Sequence, residues 1–367
     1  MNDSAEILFR LLSAALGGGT EWPLPEGVNW QEVTDLAFDQ EVAALLFDGI
    51  QRGAECSELQ EDGSGLLDSE ELENLRYVLI AGMMACEGEY VRHMEVIRFL
   101  TEMWRAEGLE TYALKGVAFA EYYPVPAHRS SCDFDCNVRY AAGRDSMDMP
   151  AWKLADKLAA DNGIRVDDSE SKHSRYVVQG MSVENHRHVI GVNGSGSLRN
   201  QDAYLQGLLQ DAAERVWPDL PLLSPCWLFN ALFCIMHART HFLEEDGIAL
   251  KHVLDWVQIR KDAGAQVYRE QFAKDIDRFG LRRFFDALDG VADYVMGVKQ
   301  ALSKPEQLML EAILAPRNVR HFKSKFRARL DILRKVWTNR WKFGYFSDTS
   351  ALATMLRYVY GHFFDRN

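Results

Sequence analysis

The strongest constraint on the fold is a short run, residues 133–138 (DFDCNV), in which polar and apolar side chains alternate. Alternation with a period of two is typical of a half-buried strand, on which residues two apart share a face. Asp133 and Asp135 therefore project from the same side of the predicted strand. Two neighbouring carboxylates repel each other unless a cation lies between them. Because both ligands are oxygens, the pattern favours a hard ion, magnesium or manganese.

The segment before this strand distinguishes a metal site from a solvated strand end, which is the more common origin of an isolated Asp-x-Asp. Residues 111–114 predict a short buried strand that breaks at Lys115-Gly116 and continues into an apolar, helix-compatible run at 117–123. Backbone N–H groups at such a turn can face a phosphate, and a lysine lies beside them. A phosphate site followed by metal ligands is the arrangement that phosphoryl transfer requires.

These motifs resemble a known family. Leu-Lys-Gly at 114–116, a short helix with tyrosine near its end, and Arg-x-x-x-Asp-x-Asp at 129–135 resemble the bacterial nucleotidyltransferase-like proteins of the polymerase-beta superfamily. The resemblance is closest to a group of uncharacterised nucleotidyltransferases within that superfamily. It covers roughly residues 70–260 and is most specific over residues 114–138.

The resemblance implies a set of catalytic residues. The aspartates at 133 and 135 would hold the catalytic metals, Mg²⁺ or Mn²⁺, with a third carboxylate from a later strand of the same sheet. The candidate is Glu184, which shares a predicted strand face with His186. Asp167 and Asp168 are alternatives, but they rank lower because they lie in a polar, turn-like run.

The resemblance also implies how a nucleoside triphosphate would bind. The Lys115-Gly116 turn and Arg129 would neutralise its phosphates, with His186 also near the nucleotide. Better-known superfamily members carry Gly-Ser at this turn, so this chain lacks the hydroxyl that would touch the triphosphate. The implied activity is metal-dependent transfer of a nucleotidyl group to an unidentified acceptor hydroxyl. The alternative is a catalytically inactive nucleotide- or partner-binding protein with the same fold.

A predicted helix at 227–241 carries His237 and His241 one turn apart, so their side chains share a face. The family tends to carry histidines here, followed by a helix with an aspartate, matched by Asp255. By analogy with two-domain transferases, these three residues would line the nucleotide cleft, although a buried polar network between helices explains the pattern equally well. A zinc site is not expected, because the glutamate of His-Glu-x-x-His and a third ligand are missing.

Composition and periodicity bound the domain organisation. The chain has 367 residues with 47% apolar and 26% charged side chains, which excludes extended disorder. We expect an α+β fold with three parts: an N-terminal helical region (1–65), a nucleotidyltransferase-like catalytic domain with a small mixed sheet (66–200), and an all-helical C-terminal domain (201–367). The sheet type follows from the resemblance.

Hydrophobic periodicity predicts the remaining elements. Helices are predicted at 5–16, 30–52, 68–107, 150–162 and 351–366. Further strands are predicted at 164–166, 176–179 and 181–184, and an exposed linker at 53–66. From about residue 200 onward the pattern is entirely helical.

The segment 317–342 contains ten lysines and arginines but only one acidic residue, in a chain whose net charge is −13. Its apolar residues fall at helical spacing, so one face of the helix is apolar and another basic. The segment could contact RNA or a nucleotide, lie on a membrane surface, or pair with acidic parts of the same fold. Intramolecular pairing is favoured because the rest of the chain is strongly acidic.

The compartment is predicted from what the sequence lacks. The N-terminus has no positively charged region, no Cys-x-x-Cys pair occurs, and no apolar run approaches the 18 residues of a membrane span. We therefore expect a cytoplasmic protein with free thiols and without a membrane span.

Overall fold

The fold is α+β, as the sequence predicts. The computed structural model describes residues 3–18, 27–57, 70–141, 149–192, 195–209, 215–217, 219–316 and 325–363. Within these residues one small sheet is surrounded by helices from both ends of the chain.

The sheet described in these ranges has six strands in the order β3-β4-β2-β1-β6-β5. The strands are β1 (Leu109–Ala113), β2 (Asp133–Tyr140), β3 (His173–Val178), β4 (Met181–His186), β5 (Arg215–Val216) and β6 (Leu222–Ser224). Two pairs, β2 with β4 and β1 with β6, are parallel, and the other three pairs are antiparallel. The predicted mixed sheet is therefore confirmed.

The helices fall into three groups along the chain. Before the sheet lie α1 (Asp3–Ala15), α2 (Trp30–Asp39), α3 (Ala43–Ser57) and α4 (Glu70–Ala106). Between the strands lie α5 (Val117–Ala120), a 3₁₀ turn (Pro126–His128), α6 (Ala151–Asp161) and α7 (Gly196–Leu208). After the sheet come α8 (Trp227–Glu244), α9 (Leu250–Lys261), α10 (Ala265–Arg278), α11 (Arg282–Val295), α12 (Lys304–Leu314), α13 (Lys325–Thr338), α14 (Arg340–Phe346) and α15 (Ala351–Phe363).

The N-terminal helices pack closely because one of them carries a glycine at the contact. A Cβ atom at Gly49 of α3 would collide with the backbone of Leu11 in α1, so only glycine permits this approach. The 37-residue helix α4 then brings the chain to β1, and Trp104 near its end is fully buried. These contacts place the N-terminal helices beside the sheet.

The prediction of one helix over 30–52 is wrong, because α2 and α3 are separated by a break. Glu41 in the break has a left-handed φ of 61°, which interrupts helical geometry. The side chain of Gln40 stabilises the break: its amide donates to the carbonyl of Ile313 at 3.1 Å and its oxygen accepts from the N–H of Leu250 at 2.9 Å. Local periodicity cannot reveal partners that lie so far along the chain.

Two other predictions about strands are wrong. The predicted strand at 164–166 does not form, and only a single bridge pairs Asp167 with Arg175. The chain after residue 200 is not entirely helical, because β5 and β6 join the sheet and β6 pairs with β1. Strands of two or three residues are too short to give a periodic signal. The domain boundary at residue 200 stays a prediction, although the sheet continues to Ser224.

The predicted linker at 53–66 begins inside α3, which continues to Ser57, and residues 58–69 lie outside the described residues. The last three residues of the closing helix predicted at 351–366 are also outside them. Among the helices that the structure describes, none has the length and apolar character needed to cross a bilayer.

Candidate active site

Three carboxylates converge on one face of the sheet where β2 and β4 run side by side. In the parallel register, Asp135 lies opposite Glu184, and Asp133 precedes Asp135 by two residues on the same face. One side-chain oxygen from each of the three residues lies within 4.8 Å of the other two. The structure therefore brings together the three acidic residues that the sequence analysis selected as metal ligands.

The three carboxylates differ in exposure. The side chain of Asp133 is 34% exposed, that of Glu184 is 13% exposed, and that of Asp135 is fully buried. Asp133 is therefore the most accessible of the three carboxylates, while Asp135 is the most deeply buried.

Lys115 is the cation nearest to the two aspartates. Its Nζ lies 3.1 Å from Oδ2 of Asp135 and 3.4 Å from Oδ2 of Asp133. Oδ2 of Asp135 is buried and makes no hydrogen bond of regular geometry with any described residue. The ammonium group therefore supplies the positive charge that the two carboxylates need to remain ionised together.

The turn that carries Lys115 requires a glycine at the next position. Gly116 has a φ of 59°, and a Cβ atom there would lie 3.0 Å from Oγ of Ser131 and 3.1 Å from the carbonyl oxygen of Asp133. A side chain at position 116 would therefore be strained by backbone conformation and by crowding. Glycine allows this turn to lie directly against the start of β2.

His186 lies behind the carboxylates and does not line the cleft. Its Nε2 is 3.0 Å from Oδ1 of Asp135 and 3.5 Å from Oε2 of Glu184, while its Nδ1 is 3.1 Å from the carbonyl of His188. Both ring nitrogens face acceptors, and the side chain is fully buried. In this structure His186 positions Asp135 and Glu184, so any contact with a nucleotide would be indirect.

Two further residues of the cluster were missed by sequence analysis. Arg175 lies opposite Glu184 in the β3–β4 hairpin, and its Nη2 is 2.7 Å from Oε1 of that carboxylate. His173 of the same strand places Nε2 3.5 Å from the same oxygen. Neither belongs to a recognisable motif, and only the hairpin register would have revealed them.

The three acids of the cluster differ in the direction in which the protein shifts their pKa values. Burial raises the pKa of Asp133, and the negative charge of Asp135 adds to this effect. Burial alone would also raise the pKa of Asp135, but the charge of Lys115 and the hydrogen bond from His186 outweigh it and lower the pKa. The pKa of Glu184 is likewise lowered, because His186 and nearby cations outweigh the effect of burial. Asp135 and Glu184 therefore stay ionised at neutral pH.

A second set of potential ligands overlaps the first. One ligand atom each from His173, Glu184 and His186 also lies within 4.8 Å of the other two. Burial lowers the pKa of His173 to about 4, so its ring is neutral near pH 7. The Nε2 atom of His186, however, already contacts Asp135. The all-carboxylate set is therefore the better candidate, and its oxygen ligands suit Mg²⁺ or Mn²⁺.

A cleft of about 350 Å³ separates the sheet from α8 and α9. The predicted site residues that line it are Lys115, Gly116, Arg129, Asp133, His237, His241 and Asp255. Phe119 and Cys234 contribute apolar surface, and Lys251, which is paired with Glu41, contributes a third cation beside Lys115 and Arg129. The cleft thus faces the helical part of the chain.

Arg129 and Asp255 bind each other in this cleft. Nε and Nη2 of Arg129 donate to the two oxygens of Asp255 at 2.7 and 2.8 Å, and the hydroxyl of Tyr123 donates to the same carboxylate at 2.9 Å. All three side chains are buried. Burial is outweighed by the arginine charge, so the pKa of Asp255 is lowered. The pair connects the segment before β2 with α9. Its charges and most of its hydrogen-bonding groups are already used within the protein.

Three histidines form one wall of the cleft. The rings of His237 and His241 have centroids 4.3 Å apart, and His252, which was not predicted, lies 6.2 and 6.3 Å from them. Nδ1 of His252 accepts from the N–H of Ala249 at 3.1 Å, so Nε2 carries the proton in the neutral ring. Burial lowers the pKa of His252 to about 3 and that of His237 well below its usual value. Within the described residues these three rings do not form a metal-binding group.

The part of segment 317–342 that the structure describes pairs with the protein itself. Nζ of Lys335 lies 2.6 Å from Asp246 and 3.2 Å from Asp331, and the buried Lys342 donates to the carbonyl of Phe242 at 2.9 Å. Residues 317–324 lie outside the described residues. The described contacts support intramolecular compensation for Lys335, while the basic side chains of residues 317–329 are not described and their role stays a prediction.

Comparison with known proteins agrees with this geometry. A family model described as "Uncharacterised nucleotidyltransferase" matches residues 26–297, which include the carboxylate cluster, the Lys115-Gly116 turn and the cleft wall formed by α8 and α9. No curated protein and no solved structure shows a significant match. The match confirms the resemblance inferred from residues 114–138.

Proposed function

The chain belongs to this family of uncharacterised nucleotidyltransferases, and from that premise we propose that it moves a nucleotidyl group from a nucleoside triphosphate to an acceptor hydroxyl with the help of Mg²⁺ or Mn²⁺. The convergence of Asp133, Asp135 and Glu184 at the edge of a cleft carries the proposal. Such a constellation of carboxylates beside a phosphate-binding turn is what metal-assisted phosphoryl transfer requires.

The carboxylate cluster fits a divalent cation. Its three side chains offer closely spaced oxygens, and one of them, Oδ2 of Asp135, is buried with only an ammonium group nearby. Asp133, Asp135 and Glu184 would hold the ion. A bound ion would activate the acceptor hydroxyl and stabilise the departing pyrophosphate.

Neighbouring residues of the chain hold the carboxylates of this site in position. His186 holds Asp135 from behind, and Arg175 holds Glu184 from the adjacent strand, so both carboxylates are fixed before a substrate binds. Lys115 supplies positive charge beside the glycine turn, where it would neutralise part of the triphosphate. Preorganised charges of this kind stabilise a transition state without further rearrangement.

The cleft wall formed by α8 and α9 would bind the base of the nucleotide or the acceptor molecule. The neutral ring of His252 presents an N–H donor, and His237 and His241 lie beside it in the cleft. Phe119 offers an apolar surface on the opposite side. The Arg129–Asp255 pair would brace this wall, because its hydrogen bonds join the two sides of the cleft.

We assign the protein to the cytoplasm. Five of the six cysteines have side chains that the structure describes, and all five are free thiols, which suits a reducing compartment.

The proposal is tested by replacing the aspartates of β2. Asp133→Asn with Asp135→Asn should abolish pyrophosphate release from nucleoside triphosphates in the presence of candidate acceptors, because the ligand charge is lost. Asp168→Asn removes an acid outside the cluster and serves as the matched control. Circular dichroism establishes that each variant is folded.

Asp135 is buried, so Asp133→Asn alone provides a milder variant in case the double replacement unfolds the protein. Its side chain is partly exposed, and its loss should leave the fold intact. Transfer that persists in a folded double variant, or in Asp133→Asn at the wild-type rate, removes the catalytic assignment.

A second candidate function is nucleotide or partner binding without catalysis. It is favoured by the ion pairs of Lys115, which already compensate Asp133 and Asp135, and by the absence of a serine hydroxyl at the Lys115-Gly116 turn. Isothermal titration calorimetry separates the two functions. Metal-dependent binding of a triphosphate without turnover on any acceptor offered would support the binding protein.

A further inference from the structure

A second cavity of about 280 Å³ lies against a different face of α8 from the catalytic cleft. His237 and His241 line the cleft, whereas Arg239, Thr240 and Glu244 line the cavity. Neighbouring positions on a helix are about 100° apart, so one helix can contribute to two separate sites. The remaining walls come from α7 and the segment before it, from α15, and from the loops that precede α11 and α15.

Arg239 lines this cavity and forms no ion pair with any described residue. Its Nη2 donates to Oγ of Ser347 at 2.8 Å, but its Nε is fully buried and has no hydrogen-bond partner. Among the described residues, no carboxylate oxygen lies within the 4.0 Å of an ion pair. A guanidinium group has five N–H donors and, when buried, requires acceptors. Burial accordingly lowers the pKa of Arg239.

Neither acid near Arg239 forms a direct ion pair with it in the described structure, although the charges of Glu244 and Asp348 partly oppose the effect of burial on its pKa. Glu244 accepts from Nη2 of Arg357 and from the hydroxyl of Tyr358, both at 2.7 Å, so its charge is already compensated. Asp348 lines the cavity too, but it is exposed to solvent and forms no ion pair with Arg239 in the described structure. Arg239 is half-buried and lines the cavity, and among the described residues no carboxylate contacts its guanidinium group directly.

We propose that this cavity is a binding site for a small molecule carrying an oxyanion, a carboxylate or a phosphate group, with Arg239 as its charged partner. The hydroxyls of Thr349 and Thr354 line the same cavity and offer hydrogen bonds to the rest of the ligand. Its volume suits a small metabolite. The site is separate from the carboxylate cluster and does not depend on the proposed transfer reaction.

The test is isothermal titration calorimetry of the full chain with inorganic phosphate and, separately, with malonate as probes. Arg239→Gln should weaken binding of the preferred probe by roughly tenfold or more, because a charge-assisted contact is lost. Arg269→Gln makes the same change at an exposed position on α10 and should leave binding unchanged. Asp348→Asn removes a negative charge beside the ligand and should tighten binding.

Phosphate could also bind beside Lys115, so each titration is repeated with Mg²⁺ in the Lys115→Gln background, once circular dichroism shows that variant to be folded, because Lys115 lies outside the second cavity. If Arg239→Gln is unfolded, Ala353→Phe places a ring in the cavity lining while keeping the arginine, and it should also weaken binding. Preference for phosphate or malonate identifies the oxyanion. Binding of neither probe, or equal binding in the wild type and in a folded Arg239→Gln or Ala353→Phe variant, overturns the proposal.

Discussion

At the residue scale, Asp135 is the side chain on which the carboxylate cluster depends most. It is fully buried, yet its pKa is lowered because Lys115 and His186 outweigh the effect of burial. A buried charge is tolerated only with such partners, and removing one of them typically costs about 3–5 kcal/mol. The stability of the free protein and the capacity to hold a cation are therefore determined by the same few atoms.

Lys115→Met should lower the free energy of unfolding by about 3–5 kcal/mol in the absence of divalent ions, since Asp135 loses its nearest cation. Mg²⁺ should restore part of this loss, because it can compensate the same carboxylates. Urea denaturation with EDTA and with Mg²⁺ measures both effects. Lys153→Met, at an exposed position of α6, is the control. If Mg²⁺ restores no stability to Lys115→Met, the carboxylate cluster is not the metal site.

At the element scale, the cleft is built where helices from both ends of the chain meet the sheet. The Arg129–Asp255 pair joins the segment before β2 to α9, and His128 joins that segment to α3 and α4 through Asp48 at 2.7 Å and Glu87 at 3.1 Å. These polar contacts fix the relative positions of elements whose apolar faces alone would tolerate sliding.

Asp255→Ala distinguishes a bracing role from direct nucleotide binding. If the pair braces the cleft, the variant should lose about 3–5 kcal/mol of stability, because Arg129 is left buried and uncompensated. The double variant Arg129→Met with Asp255→Ala should then be less destabilised than the sum of the single changes. Chemical denaturation of the four proteins measures the coupling. Additive effects with a raised KM for the triphosphate would favour nucleotide contact instead.

The contacts of His128 predict a pH dependence. The hydrogen bond to Asp48 raises the pKa of His128 above its usual value, despite burial. Its contribution to stability is therefore complete below the unfolded-state pKa of about 6.5 and is lost as pH rises through the folded-state pKa. Urea denaturation at a series of pH values should show this decline. Asp48→Asn should flatten it, and an unchanged profile in that variant would assign the decline to other groups.

The elements predictable from sequence are those with a long or strict pattern. Helices α4, α6 and α8 and strand β2 lie where the sequence pattern predicts them, and the three carboxylates follow from the alternation in β2 together with the family resemblance. The α2–α3 break was missed because Gln40 is stabilised by residues distant in sequence. His173, Arg175 and His252 were missed because pairing across a hairpin or between helices places them, and no local pattern records that pairing.

At the scale of the whole molecule, the N-terminal helices and the C-terminal helical region are directly connected. Gln40 donates to Ile313 and accepts from Leu250, while Glu41 pairs with Lys251 at the cleft. The cleft beside the carboxylate cluster therefore contains residues from the helical regions before and after the sheet as well as from the sheet region itself. The three predicted domain ranges remain predictions, but these contacts favour one cooperative unit.

Gln40→Ala should destabilise the protein, because it leaves the buried N–H of Leu250 and the carbonyl of Ile313 without partners. Each unsatisfied group costs about 1–3 kcal/mol. Calorimetry should show a single transition at a lower temperature in the variant, as expected for one cooperative unit. Gln31→Ala, at an exposed position of α2, is the control. Two separate transitions would show that the N-terminal helices unfold independently.

The contacts of Gln40 also constrain the order in which the protein can mature on the ribosome. Its two partners are 210 and 273 residues further along the chain, so neither contact can form until most of the polypeptide has been synthesised. Until then, the surface of the N-terminal helices that contacts the C-terminal helical region stays exposed to solvent. Exposed apolar surface of this kind is what chaperones bind. The break between α2 and α3 therefore gains its full set of contacts only after translation has passed Ile313, and a chain terminated before that point would lack one of them.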